Sequence, residues 1–135
     1  MVLKLANLES LAPDEVGRLE ALGILNSDDV LLHASTPERR RDLAARSGLD
    51  DGLILRLART ADLARIVGLI EPHVLLLDAL GIGCVRALAE QDPSLLVKAL
   101  RRKNVELTLV RSVPPESIIA RWVTDAKALP ALLED

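Results

Sequence analysis

Three features of the 135-residue sequence predict an all-α fold. Apolar residues recur at helical spacing, Pro and Gly mark regular starts and stops, and the first half of the chain is written again in the second. Residues 8–24 read LESLAPDEVGRLEALGI and residues 66–82 read IVGLIEPHVLLLDALGI. At a constant offset Leu8 matches Ile66, Leu11 matches Leu69, Val16 matches Val74 and Leu19 matches Leu77. The run Ala21-Leu22-Gly23-Ile24 then returns as Ala79-Leu80-Gly81-Ile82. Leu53-Ile54-x-x-Leu57-Ala58-x-x-Ala61 aligns in the same way with Ile118-Ile119-x-x-Trp122-Val123-x-x-Ala126. We expect a single domain over 1–135, with repeat one over about 5–63 and repeat two over about 64–132, packed as one compact body of about ten short helices.

Each element has a local cause. Pro13-Asp14-Glu15 opens a helix with a proline and two acids, and Gly23 stops it after Leu22. Ser27-Asp28-Asp29 caps a short helix through Leu31-Leu32-His33. Thr36 caps the next, with Pro37 at its first position and Glu38 behind, and this helix carries Arg39-Arg40-Arg41 to a stop at Ser47-Gly48. Asp50 or Asp51 opens a helix whose apolar face is Leu53, Ile54, Leu57, Ala58 and Ala61. In the second half helices are expected at about 59–67, 72–80, 84–90 and 93–103, and after Pro114-Pro115 at about 115–129. Ile24 and Leu53 are 29 positions apart, Ile82 and Ile118 are 36 apart, so the second repeat is seven residues longer. The extra length falls in Asn104–Val113, whose β-branched content predicts an extended, ordered loop.

Composition narrows the class. Half of the residues are apolar, yet there is no Phe, no Tyr and one Trp, so the core must be Leu, Val, Ile and Ala, with Trp122 an anchor beside Ile118, Ile119, Val123 and Ala126. A net charge of −3 gives no global attraction to nucleic acid or anionic lipid. The lone Cys84 cannot form an intramolecular disulfide and fits a reducing cytoplasm. The N-terminal stretch MVLKLANLES does not read as a signal peptide, and no run approaches the ~20 apolar residues of a membrane span.

The repeated unit resembles a helix-hairpin-helix, in which a helix leads through a Gly-apolar-Gly hairpin to a second helix and a Gly-apolar stop. The hairpins here are Ser10-Leu11-Ala12-Pro13 and Gly68-Leu69-Ile70-Glu71, and the stops are Gly23-Ile24 and Gly81-Ile82. The arrangement is similar to a bacterial family of unknown function built from two such repeats. Ala61–Gly68 resembles its junction and Trp122–Leu129 its closing helix. Helix-hairpin-helix motifs often bind DNA without sequence preference, and the resemblance implies that chemistry as one option. It requires close approach of hairpin amides to a phosphate. Repeat one has lost both hairpin glycines to Ser10 and Ala12, with Asp14 and Glu15 at the helix start. Repeat two keeps Gly68 but has Ile70 and Glu71 where a phosphate would sit. The sequence therefore favours hairpins that serve packing over hairpins that clamp phosphate.

Two basic clusters remain as contact candidates for nucleic acid or an acidic partner: Arg39, Arg40 and Arg41 (with Arg46) on the Pro-started helix of repeat one, and Lys98, Arg101, Arg102 and Lys103 toward the end of its counterpart. The bland alternative is a solvated helix face, with cations near a C-terminus favoured by the dipole. Glu38 and Asp42 interrupt the first cluster and no aromatic is near to stack on a base. His33 and His73 have no ligand-spaced partner, Gly81-Ile82-Gly83 follows a helix instead of a strand, and Asp28-Asp29 and Asp50-Asp51 sit where caps belong. Neither catalytic residues nor a cofactor nor a metal is expected. The function expected is a non-enzymatic binding or scaffolding module for protein–protein interaction or self-association, in the cytoplasm. Weak sequence-independent nucleic-acid binding through the basic helix ends and Gly68 is the alternative.

Overall fold

The computed structural model describes residues 2–134, so the two end positions of the expected 1–135 domain lie outside it. The described residues hold eight α-helices and one 3-10 turn, Leu5–Asn7, and no β-strand; an isolated antiparallel bridge joins Lys4 and Asn26. The helices are α1 Pro13–Glu20, α2 Ser27–Ala34, α3 Pro37–Ser47, α4 Asp51–Leu63, α5 Glu71–Ala79, α6 Val85–Ala89, α7 Pro93–Leu107 and α8 Glu116–Ala128. They fall into two compact units, the first running to Arg65 and taking back the chain from Leu132 onward, the second Ile66–Ala131.

In the first unit α4 packs on α2 and α3. Leu19, Ile24, Val30, Leu43, Ile54 and Ala58 are fully buried there. In the second unit α8 packs on α6 and α7, and α7 also meets α5. Ile119, Trp122, Val123 and Ala126 are buried along α8, while Ile118, one position off that stripe, is 37% exposed. Full burial of a Leu-sized side chain is worth roughly 1.5–3 kcal/mol, so the aliphatic faces supply the main driving force.

The two units use the same local devices in the same order. α1 ends as Gly23 turns left-handed (φ 82°), with Gly23 N–H on Glu20 O (2.9 Å) and Ile24 N–H on Leu19 O (3.0 Å). α5 ends in the same way at Gly81 (φ 81°), with Gly81 N–H on Asp78 O and Ile82 N–H on Leu77 O (both 2.9 Å). This paired bonding satisfies carbonyls that the helix end leaves open and folds the next apolar residue back onto the helix. α3 and α7 both carry Pro at the first position behind a side-chain cap, Thr36 and Asp92.

Four expectations are corrected. The separate helix at about 59–67 is absent, because α4 runs unbroken to Leu63 and its last turn contains Asp62, whose carboxylate pairs with Arg65 at 2.9 Å. The described residues hold eight α-helices where the sequence predicts about ten, and the absent 59–67 helix accounts for part of the difference. The extended segment Asn104–Val113 is helical to Leu107. The chain leaves the helix only at Thr108, which takes a left-handed conformation (φ 52°). Asn104 then shapes the loop beyond the helix end: its Oδ1 accepts from Leu109 and Val110 N–H, and its Nδ2 donates to Val110 O. Ser27 is not the cap of α2. Asn26 Oδ1 takes the Asp29 N–H at 3.0 Å, and Ser27 Oγ instead accepts from Leu3 N–H at 2.9 Å.

Two glycine-to-alanine changes are expected to have opposite signs. Gly81→Ala forces a Cβ into a left-handed stop and should lose about 1–2 kcal/mol. Gly17→Ala, inside α1 with nothing within 4 Å of the added methyl, should gain about 0.5–1 kcal/mol. Urea denaturation of the two variants checks both.

Candidate functional site

The segments that read as hairpins in the sequence, residues 10–13 and 68–71, each lead into a helix, α1 and α5. In the first hairpin Leu11 N–H bonds Leu8 O, and Ala12 N–H donates to Glu15 Oε1 at 2.8 Å. In the second, Leu69 N–H bonds Ile66 O, and Ile70 N–H donates to His73 Nδ1 at 3.2 Å. Ala12 and Ile70 stand where the sequence resemblance would put a second hairpin glycine, and both amides are already closed by a side chain three residues on. This is half of a capping box, since Ala and Ile have no acceptor to return the bond. Gly68 is explained by backbone conformation: its φ is 86°, and nothing lies within 4 Å of where a Cβ would stand. Among the described residues the only non-glycine with positive φ is Thr108, so Ser10 turns the first hairpin without the left-handed step that Gly68 takes.

The surfaces of the two hairpins have diverged. Val67, Ile70 and Leu75 are exposed (69, 43 and 42%), and at the matching offset repeat one carries Glu9, Ala12 and Gly17. The divergence is written in the sequence of the two halves, but alignment of their buried positions alone passes over it.

The first basic cluster is largely spent within its own unit. Arg40 is buried, donating through Nη1 to Ala34 O (2.9 Å) and Nη2 to Glu134 O (2.7 Å), while Glu134 N–H bonds Ser35 O. It clamps the returning segment at Glu134, so its guanidinium is engaged within the unit. Arg39 Nη1 donates to Leu32 O and Ser35 Oγ, Arg41 lies 3.9 Å from Glu38, and Arg46 pairs with Asp42 at 2.9 Å. A shallow groove of about 400 Å³ lies beside Arg39, floored by Leu31, Leu32 and Leu132 with Asp28 at its edge. The second cluster differs. Lys103 pairs with Glu106 at 3.2 Å, but Lys98, Arg101 and Arg102 are exposed and make no hydrogen bond or ion pair among the described residues. Because α7 continues to Leu107, these cations sit well inside the helix, and its last turn has no basic residue. The helix dipole therefore does not explain them. Gly68 and the α7 cations belong to the second unit, the Arg39–Arg41 cluster to the first.

His73 is half-buried against Trp122, ring centroids 4.9 Å apart and planes inclined by 54°. Burial holds its imidazole below the ordinary value, favouring the neutral form whose Nδ1 accepts from Ile70. The Trp122 indole N–H is buried with no acceptor among the described residues. Cys84 caps α6 through Sγ, accepting from Ala87 N–H at 3.4 Å. Among the described residues no group of three His, Cys, Asp or Glu side chains is placed to hold a metal ion, and no helix is long and apolar enough to cross a membrane.

Residues 9–129 match the model of a family described as a domain of unknown function (DUF4332). Neither the curated proteins nor the solved structures include a match to this chain.

The geometry sets two outcomes. Arg40→Ala strips the Ala34 and Glu134 carbonyls of a charged donor and should cost about 1.5–3 kcal/mol, against less than about 0.5 kcal/mol for Arg41→Ala, by chemical denaturation. Protonation of His73 places a hydrogen on Nδ1 and ends its bond to Ile70. Its folded-state pKa is lowered, so its stabilising contribution is complete above about pH 6.5 and is lost as pH falls from there through the folded value. The single tryptophan reports the same event. Its fluorescence should titrate with a midpoint below that of free imidazole, and His73→Gln should abolish the step.

Proposed function

The chain belongs to the DUF4332 family, and on that premise we propose that it is a non-enzymatic helical binding or scaffolding module for another protein or a second copy of itself. The observation that carries this reading is the engagement of the hairpin amides. At both hairpins the N–H that would have to meet a phosphate already donates to Glu15 or His73. Admitting a phosphate would break a bond worth about 1 kcal/mol and, in the first hairpin, set an anion against a carboxylate. The apolar exposure of Val67, Ile70 and Leu75 supports contact with protein. On this reading the duplicated unit is helix-hairpin-helix-like, with the end of α4 and α5 flanking the second hairpin, which has become a docking element. A bacterial, cytoplasmic setting is part of the proposal, supported by the resemblance carried by Gly23-Ile24 and Gly81-Ile82 and by the free Cys84.

Weak, sequence-independent nucleic-acid binding is a second reading, favoured by one observation: the exposed Arg101 and Arg102 have no carboxylate paired to them among the described residues. A photo-crosslinking amino acid at position 67, introduced in the native cell, separates the two. Discrete protein adducts that disappear when Ile70→Asp is added support the module. Nucleic-acid adducts in their place, or no adduct of any kind, reject it. In parallel, anisotropy with short DNA and RNA should show no binding whose logarithm falls steeply with salt.

A further inference from the structure

We propose that the outer face of α7 is a docking surface for an acidic amphipathic helix of a partner protein, an inference that rests on the protein-binding reading above. α7 packs on α5 and α8 through Leu96, Val97 and Leu100, all buried. At about 100° per residue these three fill one side of the helix. Leu95, Lys98, Arg102 and Val105 fall together on the opposite side, at intervals of three, four and three, with Arg101 flanking them. Leu95 is 64% and Val105 83% exposed, two of the most exposed large apolar residues of the chain. They bracket the cations along roughly 15 Å of helix.

Charge complementarity selects the occupant. Arg101 and Arg102 have no ionic partner among the described residues. Lys98 feels the charge of Asp92, but that carboxylate is turned to the Ser94 hydroxyl and the Ser94 and Leu95 amides, which with Lys98 lower its pKa. On α3, by contrast, Arg40, Arg41 and Arg46 are each met within the unit. Cations bracketed by apolar side chains ask for carboxylates interleaved with apolar side chains at helical spacing. A phosphate backbone would meet the charges and leave Leu95 and Val105 unused, and no aromatic residue stands beside them to stack on a base.

The test uses the full chain and a labelled, amidated peptide of three heptads with Leu along one face and Glu beside it, followed by anisotropy. Arg101→Glu combined with Arg102→Glu should weaken binding by about tenfold or more. Leu95→Ser combined with Val105→Ser should weaken it by about fivefold, which a purely electrostatic contact would not show. All substituted positions are exposed, and circular dichroism confirms that the variants fold. The proposal is overturned if the peptide fails to bind, if a peptide with every Leu replaced by Ser binds equally well, or if short duplex DNA binds more tightly than the peptide with a steep loss in salt. Loss of this surface alone, with protein adducts still formed at position 67, would leave the protein-binding reading standing. Loss of both would end it.

Discussion

The constraint on which the rest depends is the left-handed glycine stop that closes α1 and α5. Gly23 and Gly81 reverse the chain, and the amides of Ile24 and Ile82 reach back to the carbonyls of Leu19 and Leu77. Each stop buries an isoleucine and the leucine it bonds at once, so a backbone bond and a core contact are made together. A residue with a Cβ at either glycine would strain the left-handed turn, although nothing lies within 4 Å of the added atom. The packing of α2 and α6 starts from this reversal, since each follows its stop within a few residues.

The need to satisfy every backbone group also explains why the hairpins read as closed surfaces. A helix start leaves N–H groups open, and here the nearest side chains take them: Glu15, His73, Asn26, Thr36, Asp50 and Asp92. Ahead of α1 and α5 the acceptor lies three residues on, Glu15 for the Ala12 amide and His73 for the Ile70 amide. His73 makes this conditional on protonation, and Trp122 beside it gives the second hairpin a reporter that the first lacks.

The two halves share what helices must do and differ in what each half does besides. Stops, Pro-started helices and the stripe along the last helix recur. The cations do not behave alike: α3 spends its arginines on carbonyls and carboxylates within the unit, while α7 leaves Lys98, Arg101 and Arg102 facing outward between two exposed apolar residues. The hairpin tips differ as well: the second exposes Val67, Ile70 and Leu75 where the first carries Glu9, Ala12 and Gly17.

The all-helical class, the helix starts at Pro13, Pro37 and Pro93, the stops at Gly23, Gly48 and Gly81, and the apolar stripes of α4 and α8 are all legible in the amino-acid order. These signals act within one or two turns, where a cap, a proline or a left-handed glycine needs only its neighbours. Features beyond that range were misread or invisible. Asn104–Val113 reads as extended from its β-branched residues, yet α7 runs on to Leu107 because Val105 points outward at no packing cost and the Asn104 side chain gathers the loop behind it. Asp62 and Arg65 lie inside the 59–67 stretch that reads as a separate helix, and their ion pair instead finishes α4. Arg39, Arg40 and Arg41 are indistinguishable as letters. Folding turns Arg40 inward to Glu134, 94 residues away, and leaves Arg101 and Arg102 in solvent, because burial and charge pairing depend on which distant segments the fold brings alongside.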